Sequence, residues 1–161
     1  MMADNFEIKK IIKSQKEELL SGNFAGIKDA EVSEPIPMLN EKKMQEYWFT
    51  AFLIQNKIRG FAITDNSGNI LIHGLLAPNV IEIQKQADKN YLSEPPKREL
   101  RKIRKFYPGY RVVSQTFSFD TVPQKWAWRL IMENKEANSI TIFISPYNWY
   151  EKKSSDPNIE G

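Results

Sequence analysis

The chain has 161 residues, of which 41% are hydrophobic and 12% aromatic, and this supply of apolar side chains argues against global disorder. It contains no cysteine, which excludes disulfides, thiolate nucleophiles, iron–sulfur clusters and cysteine-based zinc sites. The formal net charge is only +3, so an electrostatic attraction to nucleic acid or to a membrane has to come from a local cluster of charges.

The first half of the chain has the pattern of one helix followed by extended segments. The predicted elements are an amphipathic helix over 4–20, a loop over 23–28, an edge strand or extended segment over 32–38, and strands over 47–55, 58–64 and 69–75. Asp4 or the following Asn can cap the helix, and Gly22 stands where its end is expected. A tight hairpin connection is predicted at 56–57 and a turn at 65–68, because Asp, Asn, Ser and Gly favour turn geometry.

The second half repeats this order after a short helix predicted over 78–88. A firmer helix is expected to be capped by Ser93, to open with Pro95 and Pro96, and to end at 108–109. Its predicted apolar stripe consists of Leu100, Ile103, Phe106 and Tyr107. Further predicted elements are strands over 110–119, 125–132 and 139–144, a turn over 134–138, and a frayed polar tail from Glu151.

The two halves resemble each other in the order and composition of their elements. Each has a helix, an aromatic-Gly loop and an aromatic-rich strand: Phe24-Ala25-Gly26 with Trp48 and Phe52 in the first half, and Tyr107-Pro108-Gly109 with Trp126 and Trp128 in the second. A helix packed on an antiparallel meander is a stable two-layer unit, but one of this size has a marginal core by itself. We therefore predict a soluble α+β fold of two tandem helix-plus-antiparallel-meander units packed together. Their ranges are 1–78 and 79–150, which can count as one domain, followed by a flexible polar tail at 151–161.

The stretch KIRKFYPGYRVV, from Lys102 to Val113, resembles the helix-to-strand junction of PepSY-type domains. The segment 35–39, followed by 47–60, is similar to the strands of the same modules, which are small, cystatin-like α+β units of peptidase propeptides and exported bacterial proteins. The resemblance implies peptidase inhibition, folding assistance or ligand sensing, and usually a place outside the cytoplasm. This sequence departs from the family in showing neither a leader nor a peptidase domain in cis.

The N-terminal residues do not have the pattern of a signal peptide, because charged side chains interrupt them and no apolar run is present. No window approaches the roughly 18 apolar residues of a membrane span. As written, the chain is expected to be cytoplasmic, and extracytoplasmic if a leader has been removed.

The most unusual charge feature is a run of seven basic residues against one acid, Glu99. The basic residues are Lys97, Arg98, Arg101, Lys102, Arg104, Lys105 and Arg111. A helix over this run turns its apolar stripe to the core and its basic side chains outward. Such a surface can bind phosphates, an acidic partner or an anionic membrane, and the alternative interpretation is a solvated helix face.

Aromatic residues of the second half supply another candidate surface, for nucleic-acid bases or an apolar ligand. The candidates are Trp126, Trp128, Tyr147 and Trp149. Core packing is the alternative for most of the aromatic residues in this half, because one face of each strand has to be the core. Tyr147 and Trp149 follow Pro146 beyond the last predicted strand, so we expect them to be the most exposed.

The sequence indicates no catalytic, metal or cofactor site. His73 is the only histidine, and no motif supplies the orienting partner and nucleophile that a catalytic histidine needs. The segment 65–69 lacks the downstream Glu of a calcium loop and is explained by a hairpin turn. Neither glycine-rich phosphate-binding motif occurs.

The favoured interpretation is a non-enzymatic binding or regulatory module of PepSY-like type, which takes a peptide, a protein or a small ligand. One alternative is anion or nucleic-acid binding through the basic run 97–111. Another is an enzyme that uses dispersed carboxylates and His73. The sequence identifies neither the partner nor the oligomeric state.

Overall fold

Antiparallel strands in two sheets, with helices packed against them, form the part of the chain that the computed structural model describes, residues 2–19, 29–76 and 87–152. The helices are α1 (Asn5–Leu19), a 3₁₀ helix η1 (Lys89–Leu92) and α2 (Lys97–Phe106). The strands are β1 (Glu31–Val32), β2 (Ile36–Leu39), β3 (Gln45–Ile54), β4 (Lys57–Thr64), β5 (Ile70–Leu75), β6 (Arg111–Phe119), β7 (Trp126–Glu133), β8 (Ser139–Ile144) and β9 (Trp149–Glu151). This architecture confirms the α+β class.

The first sheet is built around β3, which pairs with β1 and β2 along one edge and with β4 along the other, and β5 follows β4. Pro37 lies in β2 opposite Trp48, and β2 pairs only with β3, as expected for a proline-containing edge strand. The β3–β4 turn consists of Gln55 and Asn56, with φ angles of 50° and 64°. The hairpin connection predicted at 56–57 is therefore wrong by one residue, since Lys57 already belongs to β4 and pairs with Ile54.

The second sheet is a simple meander in the order β6-β7-β8-β9. Its last strand is absent from the sequence-based expectation, because three residues are too few to show an alternating pattern. Glu151 pairs with Ile142, and the Lys152 backbone N–H donates to the Thr141 carbonyl at 2.9 Å. The tail predicted from 151 therefore does not begin there, and 153–161 lie outside the described residues.

The two helix starts are determined by different local chemistry. Asp4 caps α1, where its carboxylate accepts the Glu7 N–H at 2.9 Å. The cap predicted at Ser93 is wrong, since α2 begins only at Lys97 and its N-cap is Pro96. A residue before proline is driven out of the helical region, so the consecutive prolines delay the helix.

Some sequence-based expectations fall outside the described residues. They are the end of the first helix at Gly22, the loop over 23–28, and all but the last two residues of the short helix predicted over 78–88. Of those two residues, Asp88 is extended: it forms an isolated antiparallel bridge with Lys57 and caps η1 by accepting the Asn90 N–H.

The turn between β4 and β5 is pressed against α1. Gly68 has a φ of +94°, and a Cβ at this position would lie 2.8 Å from the Ile11 Cδ1 atom. The Asp65 carboxylate accepts the backbone N–H groups of Ser67 and Asn69, each at 2.9 Å. The Asp65 carboxylate is thus engaged in closing the predicted turn.

The first sheet has a core on each face. On one face α1 buries Ile8 and Ile12 against Trp48 and Phe52. On the other face, Phe49 of β3 meets the second sheet, where its ring centroid lies 4.5 Å from that of Trp126. Helix α2 adds Ile103 to this second core. The two halves therefore share one apolar core. Neither α1 nor α2, nor any other helix within the described ranges, is long and apolar enough to cross a membrane.

Candidate functional site

Helix α2 presents its basic side chains to solvent. Ile103 is buried and Leu100 is half-buried, whereas the predicted anion-binding set is exposed throughout: Lys97, Arg98, Arg101, Lys102, Arg104, Lys105 and Arg111. Within the described ranges the only ion pair of this set joins Lys102 to Glu99 at 3.5 Å. Among the described residues, the other six cations of the set have no ion-pair partner and can pair with an external anion.

Phe106 departs from the predicted apolar stripe. It is 66% exposed, and its ring stands edge-on to Tyr107 and Trp149, with centroid separations of 4.9 and 5.4 Å. These three residues are called the Phe106 cluster below. Trp149 reaches the cluster from β9, where it is half-buried. The cluster leaves an aromatic ring exposed beside the basic helix.

Two of the predicted ligand-contacting aromatics belong to the core instead. Trp126 is 4% exposed and Trp128 is 8% exposed. Alternation along β7 turns both toward the first sheet, and β7 lies between β6 and β8, so no edge exposes them. The Trp128 Nε1–H donates to the buried Tyr91 carbonyl at 2.6 Å. Of the four aromatic residues predicted to contact a ligand, Tyr147 is exposed and Trp149 is half-buried in β9, so only these two stay candidates.

A groove with a volume of about 810 Å³ lies between η1, the start of α2 and the β8–β9 turn. We call it the α2 groove. Its apolar wall includes Tyr91, Pro95, Pro96, Pro146 and Tyr147. Its polar rim includes Lys57, Asp88, Glu94, Lys97, Arg98, Glu99, Lys102 and Asn148. Sequence patterns did not indicate this groove, because it forms where segments distant in the chain meet, namely Lys57, residues 87–102 and the β8–β9 turn.

The β8–β9 turn holds Tyr147 in a defined position. Ser145 Oγ accepts the backbone N–H groups of Tyr147 and Asn148 at 3.2 and 3.1 Å, and the Ser145 N–H donates to the Asn148 carbonyl at 2.8 Å. Tyr147 is 57% exposed at the tip of this turn. Tyr147 also lines a smaller cavity of about 270 Å³ together with Phe61 and Trp126. Tyr147 therefore contributes to two cavities.

The Asp120 carboxylate, just after β6, stabilises the position of β9 at the edge of the sheet. It accepts the Tyr150 hydroxyl at 2.8 Å and pairs with Lys152 at 3.0 Å. Partial burial raises the pKa of Asp120, but the hydrogen bonds from Tyr150 and Lys152 and the lysine charge outweigh burial and lower the pKa overall. Burial first, and then the carboxylate, raise the pKa of Tyr150. This network supports the strand that carries Trp149.

Replacing Asp120 by Asn is expected to make the free energy of unfolding less dependent on pH in the acid range. The pKa of Asp120 in the folded chain lies below its ordinary value of 3.8, so ionisation stabilises the fold above that pH and the contribution disappears as pH falls. At neutral pH the variant should lose about 1 kcal/mol, and the difference from the wild type should shrink below about pH 4. The urea midpoints of the wild type and the variant at neutral and acid pH measure this difference. Glu136→Gln, at an exposed position, is the control. An unchanged difference at both pH values would contradict the expectation.

The third candidate from sequence, His73, lies exposed on β5 with Ala62 opposite it on β4. The two carboxyl groups with lowered pKa values belong to separate connections: Asp65 lies between β4 and β5, and Asp120 lies between β6 and β7. The described part of the chain, residues 2–19, 29–76 and 87–152, contains no group of three or more His, Asp or Glu side chains that could hold a metal. The structure thus does not bring His73 and these carboxylates together.

No protein-family model, curated protein or solved structure matches the chain. The resemblance to PepSY-type domains therefore depends on the residues of this sequence and stays a prediction.

Proposed function

We propose that the chain is a non-enzymatic binding module that takes an extended peptide, free or as a segment of a partner protein, in the α2 groove. The observation that carries this proposal is the groove itself, whose volume of about 810 Å³ is in the range of ligand sites in proteins. Its walls combine tyrosine and proline with a charged rim. Such surfaces offer apolar contact to peptide side chains and hydrogen bonds to the peptide backbone.

The state of the rim's carboxylates supports binding over catalysis. Asp88 accepts the Asn90 N–H at 2.9 Å and so belongs to the cap of η1. Glu99 pairs with Lys102. Neither carboxylate is oriented toward a nucleophile by these contacts, and both help to shape the groove. The resemblance to PepSY-type domains, which implies peptidase inhibition, folding assistance or ligand sensing, also favours a binding role.

Selection from a random peptide display library tests the proposal. We expect families of peptides that bind the intact chain, with affinities measured afterwards by fluorescence anisotropy. Replacing Tyr147 by Ala should weaken these peptides by about tenfold, because an exposed aromatic side chain in a groove wall is a typical anchor. The matched control is Phe6→Ala, since Phe6 is an exposed aromatic on α1, away from the groove.

Two results would contradict the proposal. One is a selection that yields no binder above background. The other is a set of binders whose affinities are the same for Tyr147→Ala and the wild type while the variant keeps the wild-type melting temperature.

A further inference from the structure

We infer that the peptide bound in the α2 groove is acidic and carries a large apolar side chain, which contacts the Phe106 cluster while its carboxylates pair with the basic face of α2. This inference depends on the proposed function and names the class of partner. It follows from the position of the cluster, the charges around it and the mixed charge of the groove rim.

The groove and the Phe106 cluster are continuous along two chain segments. On α2, Lys102 lines the groove and Phe106 follows four residues later, which places both side chains on one side of the helix. On the opposite wall, Asn148 lines the groove and Trp149 of the cluster follows directly. The cluster therefore adjoins the end of the groove formed by Lys102 and Asn148, where a peptide that leaves the groove can contact it.

The rings of the cluster are already positioned to contact an apolar side chain of a partner. Phe106 is 66% exposed although its ring touches Tyr107 and Trp149. The edge-on packing orients the phenyl ring and leaves area for another apolar group, and edge-on or offset ring pairs are the favoured aromatic geometries. An exposed aromatic ring beside a groove is typical of a binding surface.

The charges around the cluster are mainly basic and favour an anionic partner, although the Glu151 carboxylate accepts a hydrogen bond from the Tyr107 hydroxyl of the cluster at 3.3 Å. Arg104 and Lys105 directly precede Phe106, and Arg111 begins the next strand. All three are exposed, and the structure gives none of them an ion-pair partner within the described residues. Arginine forks pair well with carboxylates, and complementary charge raises both specificity and association rate.

A peptide fits this surface better than a nucleic acid. The groove rim carries Asp88 and Glu94 as well as Lys97 and Arg98. A nucleic-acid strand has a negative charge on every nucleotide and would meet those carboxylates, whereas a peptide can place its acids at the cluster and neutral residues in the groove.

The test uses two labelled synthetic peptides. In the first, one tryptophan is flanked on both sides by glutamates, and in the second, glutamine replaces every glutamate. We expect the acidic peptide to bind at least about tenfold more tightly and to weaken as salt is raised. The double variant Arg101→Glu with Arg104→Glu should weaken it by at least tenfold. The control pair is Lys42→Glu with Lys135→Glu, which makes the same charge change at exposed turns outside α2.

The variant Phe106→Ala separates the contribution of the cluster to peptide binding from that of the basic residues. It should weaken the tryptophan-containing acidic peptide and leave unchanged a peptide in which alanine replaces the tryptophan. Equal binding of the glutamate and glutamine peptides would overturn the inference. So would tighter binding of a labelled oligouridine or of anionic phospholipid vesicles with the same sensitivity to the double variant.

The proposed function and this inference fail in different ways. Library-selected peptides could be weakened by Tyr147→Ala but bind the charge-reversal variant and Phe106→Ala as tightly as the wild type. This result would support the groove proposal and overturn the inference that the peptide is acidic. A selection without any binder would overturn the groove proposal, and the acidic peptide with it.

Discussion

Replacing Phe49 by Ala is expected to lower the free energy of unfolding by about 3–5 kcal/mol. Phe49 is fully buried, and its ring packs against those of Phe117 and Trp126, with centroid separations of 5.1 and 4.5 Å. The substitution removes a side chain that packs β3 against the second sheet, and it leaves a cavity. Since domains of this size are stable by about 5–15 kcal/mol, the variant is expected to be close to unfolding.

Urea unfolding followed by tryptophan fluorescence and by far-ultraviolet circular dichroism measures this loss. Both probes should give one common transition, because the core around Phe49 contains residues of both halves. Phe49→Leu should cost less, about 1–2 kcal/mol, since leucine refills part of the volume. Phe6→Ala at the surface should change stability by less than about 0.5 kcal/mol. Two separate transitions, with only one of them shifted, would contradict a shared core.

Replacing Tyr91 by Phe is expected to cost about 1–3 kcal/mol. The Tyr91 hydroxyl donates to the Ile144 carbonyl at 2.7 Å, and this bond is buried. The variant keeps the ring but leaves a buried carbonyl without this donor. Burial raises the pKa of the Tyr91 hydroxyl well above its ordinary value, so the group remains a donor throughout the neutral range.

Tyr110→Phe is the matched control, because the half-buried Tyr110 hydroxyl only accepts a long hydrogen bond of 3.5 Å from the Asn134 side chain. It should change the unfolding midpoint by less than about 0.5 kcal/mol. Amide exchange near Ile144 should accelerate in Tyr91→Phe and not in Tyr110→Phe. Equal stability of both variants would show that the Tyr91 bond does not hold η1 to the second sheet.

The sequence alone predicted the elements whose signals are local. They are the amphipathic period of α1, its N-terminal cap, which was narrowed to Asp4 or Asn5 and is Asp4, and the turn at 65–68. Each depends on residues within a few positions of one another. Strand β8 was predicted with its observed bounds, Ser139–Ile144, because polar turn residues precede it. The exposure of the basic residues on α2 also follows from the helical period.

The candidate site was predicted only in part. Its cations and Tyr147 could be named, since an amphipathic helix and a proline-containing loop indicate exposure. The burial of Trp126 and Trp128 could not be decided, because alternation shows that they share a face but not which face is covered. Phe106 was placed in the core stripe although it lies at the edge of the helix face, where β9 covers it only in part.

The sequence by itself thus determined the α+β class, most helices and strands, and the basic face of α2, because these depend on side-chain period and turn chemistry. Only the tertiary structure decided the position of β9, the shared aromatic core and the α2 groove. These depend on contacts between segments distant in the chain, such as η1 with β7 and α2 with the β8–β9 turn. No local pattern encodes such contacts, because their free energy is gained only when the two sheets pack together.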